Sequence, residues 1–204
     1  MRKPVREVPE AIAAKLTNAA AAFAATFDDL RMDDIALASG IPRATLYYYF
    51  SGKDDILAFL LSSTLAELRR ALARIAERPG PAKKRLHDLV RNFLAELAGR
   101  PAAAQLVFEN LGRTGKLPDI ATGVQEALYA PFERVLEDGM RNGELARVEP
   151  RTVATAMIGS MAIVGLQAIV TEASFDARQV ADLLTRLFWS GVAAQEPRQP
   201  RHSS

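Results

Sequence analysis

Apolar residues recur at every third or fourth position along most of this chain, the spacing that places them on one face of an α-helix. Breakers divide the recurrence into about nine segments. The first starts near Pro9, a residue tolerated in a first helical turn, and repeats Ile12, Leu16, Ala20, Phe23 and Phe27. Two brief segments follow, Asp33 to Ser39 and Arg43 to Tyr49, separated by Gly40, Ile41 and Pro42. Ser51 with Asp54 three residues later has the form of a capping box, which predicts a new helix starting there. Leu57, Leu61, Leu65, Leu68, Leu72 and Ile75 carry it to the stop at Arg78–Pro81. Leu86, Leu89, Phe93 and Leu97 mark a fifth helix ending at Gly99–Pro101. Leu106, Val107 and Leu111 mark a sixth, and Ile120 to Met140 a seventh that ends at Asn142 and Gly143. The ninth carries Val180, Leu183, Leu187, Phe188 and Gly191. No strand pattern interrupts the series, so the predicted fold class is all-α. A flexible arm is expected over 1–8, a head over 9–55, a body over 56–194 and a disordered tail over 195–204.

The eighth segment, Val153 to Val170, has no charge over a length at the lower limit for crossing a bilayer. Thr155, Ser160, Gln167, Gly159 and Gly165 interrupt it, and no aromatic belt marks its ends. A buried helix of a soluble protein is the expectation, with no membrane partner. A helix apolar all round must be covered all round, and a second copy of the chain would supply the cover.

The stretch ATLYYYFSGK, Ala44 to Lys53, sits at the end of the short, short, long arrangement. Two brief helices with a glycine in their turn have the outline of a helix-turn-helix, whose second helix enters a DNA major groove. Ile35, Ala36, Ile41, Leu46 and Phe50 would form its small core, leaving Arg43, Thr45, Tyr48 and Tyr49 outward. Arg43 can give two hydrogen bonds to guanine, Thr45 can touch a thymine methyl or a phosphate, and tyrosine hydroxyls can donate to phosphates. Lys53 falls in the first turn of the next helix, where free backbone N–H groups favour an anion.

Over Asp33 to Leu57, DDIALASGIPRATLYYYFSGKDDIL, the sequence resembles the TetR family of bacterial transcriptional regulators, with Ile35, Ala36, Gly40, Thr45, Leu46, Tyr47, Phe50 and Lys53 matching its signature. The resemblance implies a homodimer, a three-helix DNA-binding head and a helical body holding a small-molecule pocket. It places Arg43, Ala44, Thr45 and Tyr48 toward base edges, and Tyr47, Tyr49 and Lys53 on phosphates. It also directs attention to Phe93, Leu97, Phe108, Glu109, Tyr129, Phe132, Met157, Met161 and Gln167 as pocket residues. Gly159, Ala162 and Gly165 with Val180, Leu183, Leu187 and Phe188 would form the dimer interface. Departures fall at Arg31 and Met32, where a hydroxyl cap is usual, at Pro42, where Ser is common, at Tyr49, where His is common, and at Thr26, where Gly is usual.

Composition narrows the alternatives. The chain has 204 residues, no cysteine and two histidines, which excludes disulfides and thiolate metal sites and fits a cytoplasmic protein. The net charge of +2 is too small to argue nucleic-acid binding from the whole chain, so that reading rests on the local site. No signal-peptide stretch is seen, His87 is expected to be a solvated surface residue, and neither a phosphate loop nor a nucleophile motif is found. No catalytic residue, metal or cofactor is assigned. The expected function is a ligand-responsive regulator, a repressor by preference, that binds a near-palindromic double-stranded DNA operator and is released by a small, largely apolar effector. The alternative is a helical small-molecule-binding or scaffold protein with a degenerate head.

Overall fold

A computed structural model describes residues 7–23, 29–101, 104–105, 107, 118–171 and 174–192. Among these, every regular element is helical: α1 (Glu10–Phe23), α2 (Met32–Ser39), α3 (Arg43–Tyr49), α4 (Lys53–Ala76), α5 (Ala82–Gly99), α6 (Pro118–Val124), α7 (Ala130–Arg141), α8 (Pro150–Val170) and α9 (Ala177–Val192). Thr26, Phe27, most of the predicted sixth helix including Leu106 and Leu111, and the predicted tail lie outside the described residues.

Two boundaries differ from expectation. The helix after the head begins at Lys53, with Gly52 as its cap residue, and the Ser51 N–H donates to the Asp55 carboxylate at 2.8 Å, not to Asp54. The capping carboxylate thus comes one residue later than the sequence spacing suggests. The predicted seventh helix is divided by a π-helical turn, Gln125–Tyr129, between α6 and α7. Such a turn widens the backbone spiral locally and is common beside functional sites.

Helices α1, α2 and α3 pack as a head on the start of α4, which continues into the body and lies against α5, α6, α7 and the π turn. Leu16, Ile35, Leu46, Ile56 and Leu57 join the head to the body in one continuous buried core. Fully burying each such side chain contributes about 1.5–3 kcal/mol. Deeper in the body, Arg85 on α5 is buried and donates from Nη1 to the Ala76 carbonyl at 3.0 Å and to Asp138 on α7 at 2.9 Å. That hydrogen bond, followed by one from Arg141, holds the Asp138 carboxyl below its ordinary range. The first turn of α5 is satisfied from α7's end: the Ala82 N–H donates to Glu144 at 2.8 Å.

The uncharged segment is not covered on all sides by its own chain. Ala154, Met157, Ile158, Met161 and Gly165 of α8 are buried, while Ile163, Leu166 and Val170 are exposed. Among the described residues no helix is long and apolar enough to cross a membrane.

Candidate nucleic-acid interface and effector cavity

The head is built from two helix starts without side-chain caps. At α2 the Arg31 N–H donates to the Asp34 carboxylate at 2.8 Å, half of a capping box that stands in for the absent hydroxyl. At the turn, Gly40 has φ +61°, a left-handed conformation that a β-carbon would strain. Pro42 occupies the cap position of α3 with ψ 137°, and its carbonyl accepts from the Thr45 N–H at 2.9 Å and the Leu46 N–H at 3.1 Å. The proline ring thus precedes the helix instead of forming its first turn.

Helical spacing then sorts ATLYYYF. Leu46 is fully buried, and Phe50 is buried with its ring 5.6 Å from that of Phe59 on α4. Arg43, Ala44, Tyr47 and Tyr48 are exposed on the outer face, while Thr45 and Tyr49, expected to face outward, are half-buried, so that Tyr47 and not Tyr49 stands on the outer side of α3. The Tyr49 ring packs against the core and meets the edge of Tyr48 at 4.9 Å. Lys53 begins α4 and is also half-buried. Arg43 lies with its guanidinium carbon 5.4 Å over the Tyr47 ring and its Nη1 2.7 Å from Asp33 Oδ1. Hydrogen bonding with Tyr47 and the charge of Asp33 raise its pKa further above the ordinary arginine value.

In the body, a cavity of about 230 Å³ lies between α4, α5, the π turn and α8. Leu65, Leu68, Phe93, Leu97, Leu128 and Ile158 form much of its wall. Its polar edge is an ion cluster: Arg100 pairs with Glu67 of α4, and its Nε is 3.7 Å from Glu96. Tyr129 of the π turn closes another side, with the Arg151 guanidinium 3.7 Å from its ring centroid. Arg151 in turn donates to Gln125 and, at 2.9 Å, to Glu133.

Residues 16–59 match the family described as bacterial regulatory proteins, tetR family. The matched residues are those of the head and the start of α4. The HTH-type transcriptional regulator EthR of Mycobacterium tuberculosis is 39% identical over 51 residues, which cover 25% of this chain and 24% of that protein. This chain therefore matches only about a quarter of the length of that relative. The likeness of fold extends further. The fatty acid degradation regulator FadR of Bacillus halodurans superposes with a TM-score of 0.80 at 18% identity, covering 91% of this chain and 98% of that one. FadR of Bacillus subtilis, solved in complex with stearoyl-CoA, gives 0.75 at 20% identity over 88% and 98%.

Against this fold, the sequence-predicted residues separate into groups. Phe93, Leu97 and Tyr129 line the cavity; Phe132, Met157 and Met161 are buried but form no part of its wall; Gln167 is exposed. Phe108 and Glu109 lie outside the described residues. Gly159 and Ala162, expected between subunits, also line the cavity. Gly165 is turned inward, where a β-carbon would stand 2.7 Å from Leu97 Cδ1. Leu183 and Leu187 are exposed, and Val180 and Phe188 half-buried. His87 is more than a solvated residue, since its Nε2 lies 2.8 Å from Asp182 of α9.

Sequence reasoning missed Asp33 as the partner of Arg43 and Ile163, Leu166 and Val170 as the outer face of α8. The first pair spans ten positions and two helices, beyond any local spacing rule. The second set is invisible in a segment with no polar face to orient it.

Proposed function

We propose that this chain is a ligand-responsive transcriptional regulator that binds a near-palindromic operator as a homodimer and releases it when a largely apolar molecule fills the body cavity. The observation that carries the reading is the face of α3, where Arg43, Ala44, Tyr47 and Tyr48 stand exposed opposite the fully buried Leu46. Arg43, Ala44, Thr45 and Tyr48 would face base edges, and Tyr47, Tyr49 and Lys53 the phosphates. The head would comprise 9–55 and the ligand-binding and dimerisation body 56–194. Apolar side chains left exposed on α8 and α9 support pairing of two copies there, because a large exposed apolar patch marks an interaction surface.

The cavity supports an apolar effector with a polar end, its wall being mostly aliphatic and its edge the Arg100 cluster. Complex formation of a similar structure with stearoyl-CoA makes acyl chains the first probes. Release follows if the effector binds better to a state whose two heads are wrongly spaced, and the shift cannot exceed that difference in affinity. α4 runs from head to cavity and is the natural carrier.

Duplexes enriched by the protein from a random pool supply the test. Tyr47→Phe and Lys53→Ala should weaken binding to every sequence, while Arg43→Ala should also relax preference at one base pair. Unchanged affinity for all three variants would remove the head assignment. Stearoyl-CoA and free stearate, added to the bound complex, should release DNA; failure of a set of acyl probes of graded length would remove the acyl effector.

A further inference from the structure

We infer that Asp33 sets the base selectivity of the head by holding the guanidinium of Arg43 in one orientation, an inference that rests on the reading of the head as DNA-binding. Asp33 lies in the first turn of α2, and Arg43 is the first residue of α3. The left-handed turn at Gly40 ends α2 and leads the chain into α3. Arg43 Nη1 then lies 2.7 Å from Oδ1 and 2.9 Å from Oδ2, and the guanidinium carbon lies 5.4 Å over the Tyr47 ring. A carboxylate at one nitrogen and a ring against the side chain fix both the direction and the position of the group. The neighbouring Asp34 is already engaged by the Arg31 N–H, so capping α2 does not require Asp33.

The chemistry of the guanidinium makes this orientation consequential. The group is planar and carries five donors in a rigid fork. With Nη1 held by Asp33, the edge that remains for a base is the one formed by Nε and Nη2. Two donors on one edge are what reads O6 and N7 of guanine. Both side chains are more than half exposed, and such a pair adds little to folding stability. Its effect belongs to binding. Without the carboxylate, Arg43 would be drawn to the nearest phosphate, a contact equally available in every sequence. Asp33 also sets a negative charge beside the DNA backbone, which penalises any duplex lacking the guanine contact. Asp33 is a positioning residue acting through Arg43.

The experiment compares the full-length wild type with Asp33→Asn, Arg43→Ala and the double variant. Affinity is measured for a duplex enriched by the wild type from a random pool and for an unrelated duplex of equal length, over a range of salt. Asp33→Asn should bind the unrelated duplex more tightly, with a salt slope steeper by about 0.9 for the phosphate that Arg43 gains. Its preference for the enriched duplex should fall by about tenfold, within what one bidentate base contact supplies. The double variant should be no less selective than Arg43→Ala alone, and Asp33→Glu should restore part of the preference. Melting of each variant checks that the head remains folded; if Asp33→Asn unfolds, the Asp33→Glu and Arg43→Lys arms decide, the latter keeping the charge without the fork. Unchanged selectivity in Asp33→Asn, or further loss in the double variant, would overturn the inference while leaving DNA binding intact. A wild type that binds no duplex at low salt would overturn both.

Discussion

Gly165 on α8 faces Leu97 on α5 so closely that a β-carbon there would stand 2.7 Å from the leucine Cδ1, and Leu97 is itself part of the cavity wall. The clash is with the far end of a flexible side chain, which can yield by changing rotamer. Gly165→Ala should therefore leave melting nearly unchanged, because the roughly 1 kcal/mol gained in helix propensity offsets the repacking. The cavity should shrink as Leu97 moves inward. Acyl probes that bind the wild type should bind this variant more weakly, by calorimetry, with no change in DNA affinity in their absence.

Arg151 couples the cavity to α8 in a different way. Its guanidinium covers the Tyr129 ring and reaches Gln125 and Glu133, so the π turn, α7 and the start of α8 meet at one side chain. Arg151→Ala should destabilise the fold by about 1–2 kcal/mol, given a cation–π contact and a partly exposed ion pair. If the cluster transmits effector binding, the variant should still bind probe but release DNA less completely. A denaturant melt and a probe titration of the protein–DNA complex measure the two effects.

The pairing of buried Arg85 with half-buried Asp138 gives an acid limb with a defined sign. Asp138 titrates below its ordinary value because the Arg85 hydrogen bond favours the carboxylate. A carboxyl depressed by folding contributes stability that is complete above its unfolded value, about 3.9, and is lost as pH falls through the lower folded value. Asp138→Asn should cost about 2–4 kcal/mol at neutral pH by leaving Arg85 buried without its counter-charge. The difference from wild type should narrow only below about pH 4, as thermal melts from pH 7 to pH 3 would show.

On α9, Leu187→Glu should change assembly before it changes folding. Leu187 is 60% exposed, so the single chain does not depend on it. A pair of copies joined through α8 and α9 would bring a charge into an apolar contact. Sedimentation should shift toward monomer while melting of the single chain stays within about 0.5 kcal/mol, as for surface substitutions generally. Affinity for a palindromic duplex should fall and affinity for a half-site should hold.

The sequence by itself determined the helical class, most element boundaries and the inward pair of the recognition helix. Those properties depend on local spacing: Leu46 and Phe50, four residues apart, had to share a face, whereas the exchange of Tyr49 for Tyr47 on the outer side depended on how α3 packs on the buried core. Breakers such as Gly40 and Pro42 likewise act on their own backbone. Only the tertiary structure decided which residues meet across helices. It paired Asp33 with Arg43, Arg85 with Asp138 and Gly165 with Leu97, each a relation between two helices packed at a particular angle and depth. It also decided which side of α8 is buried, since a helix with no polar face can be oriented only by its neighbours. The body cavity belongs with these, because a void is a property of several packed helices together and leaves no pattern in any one of them.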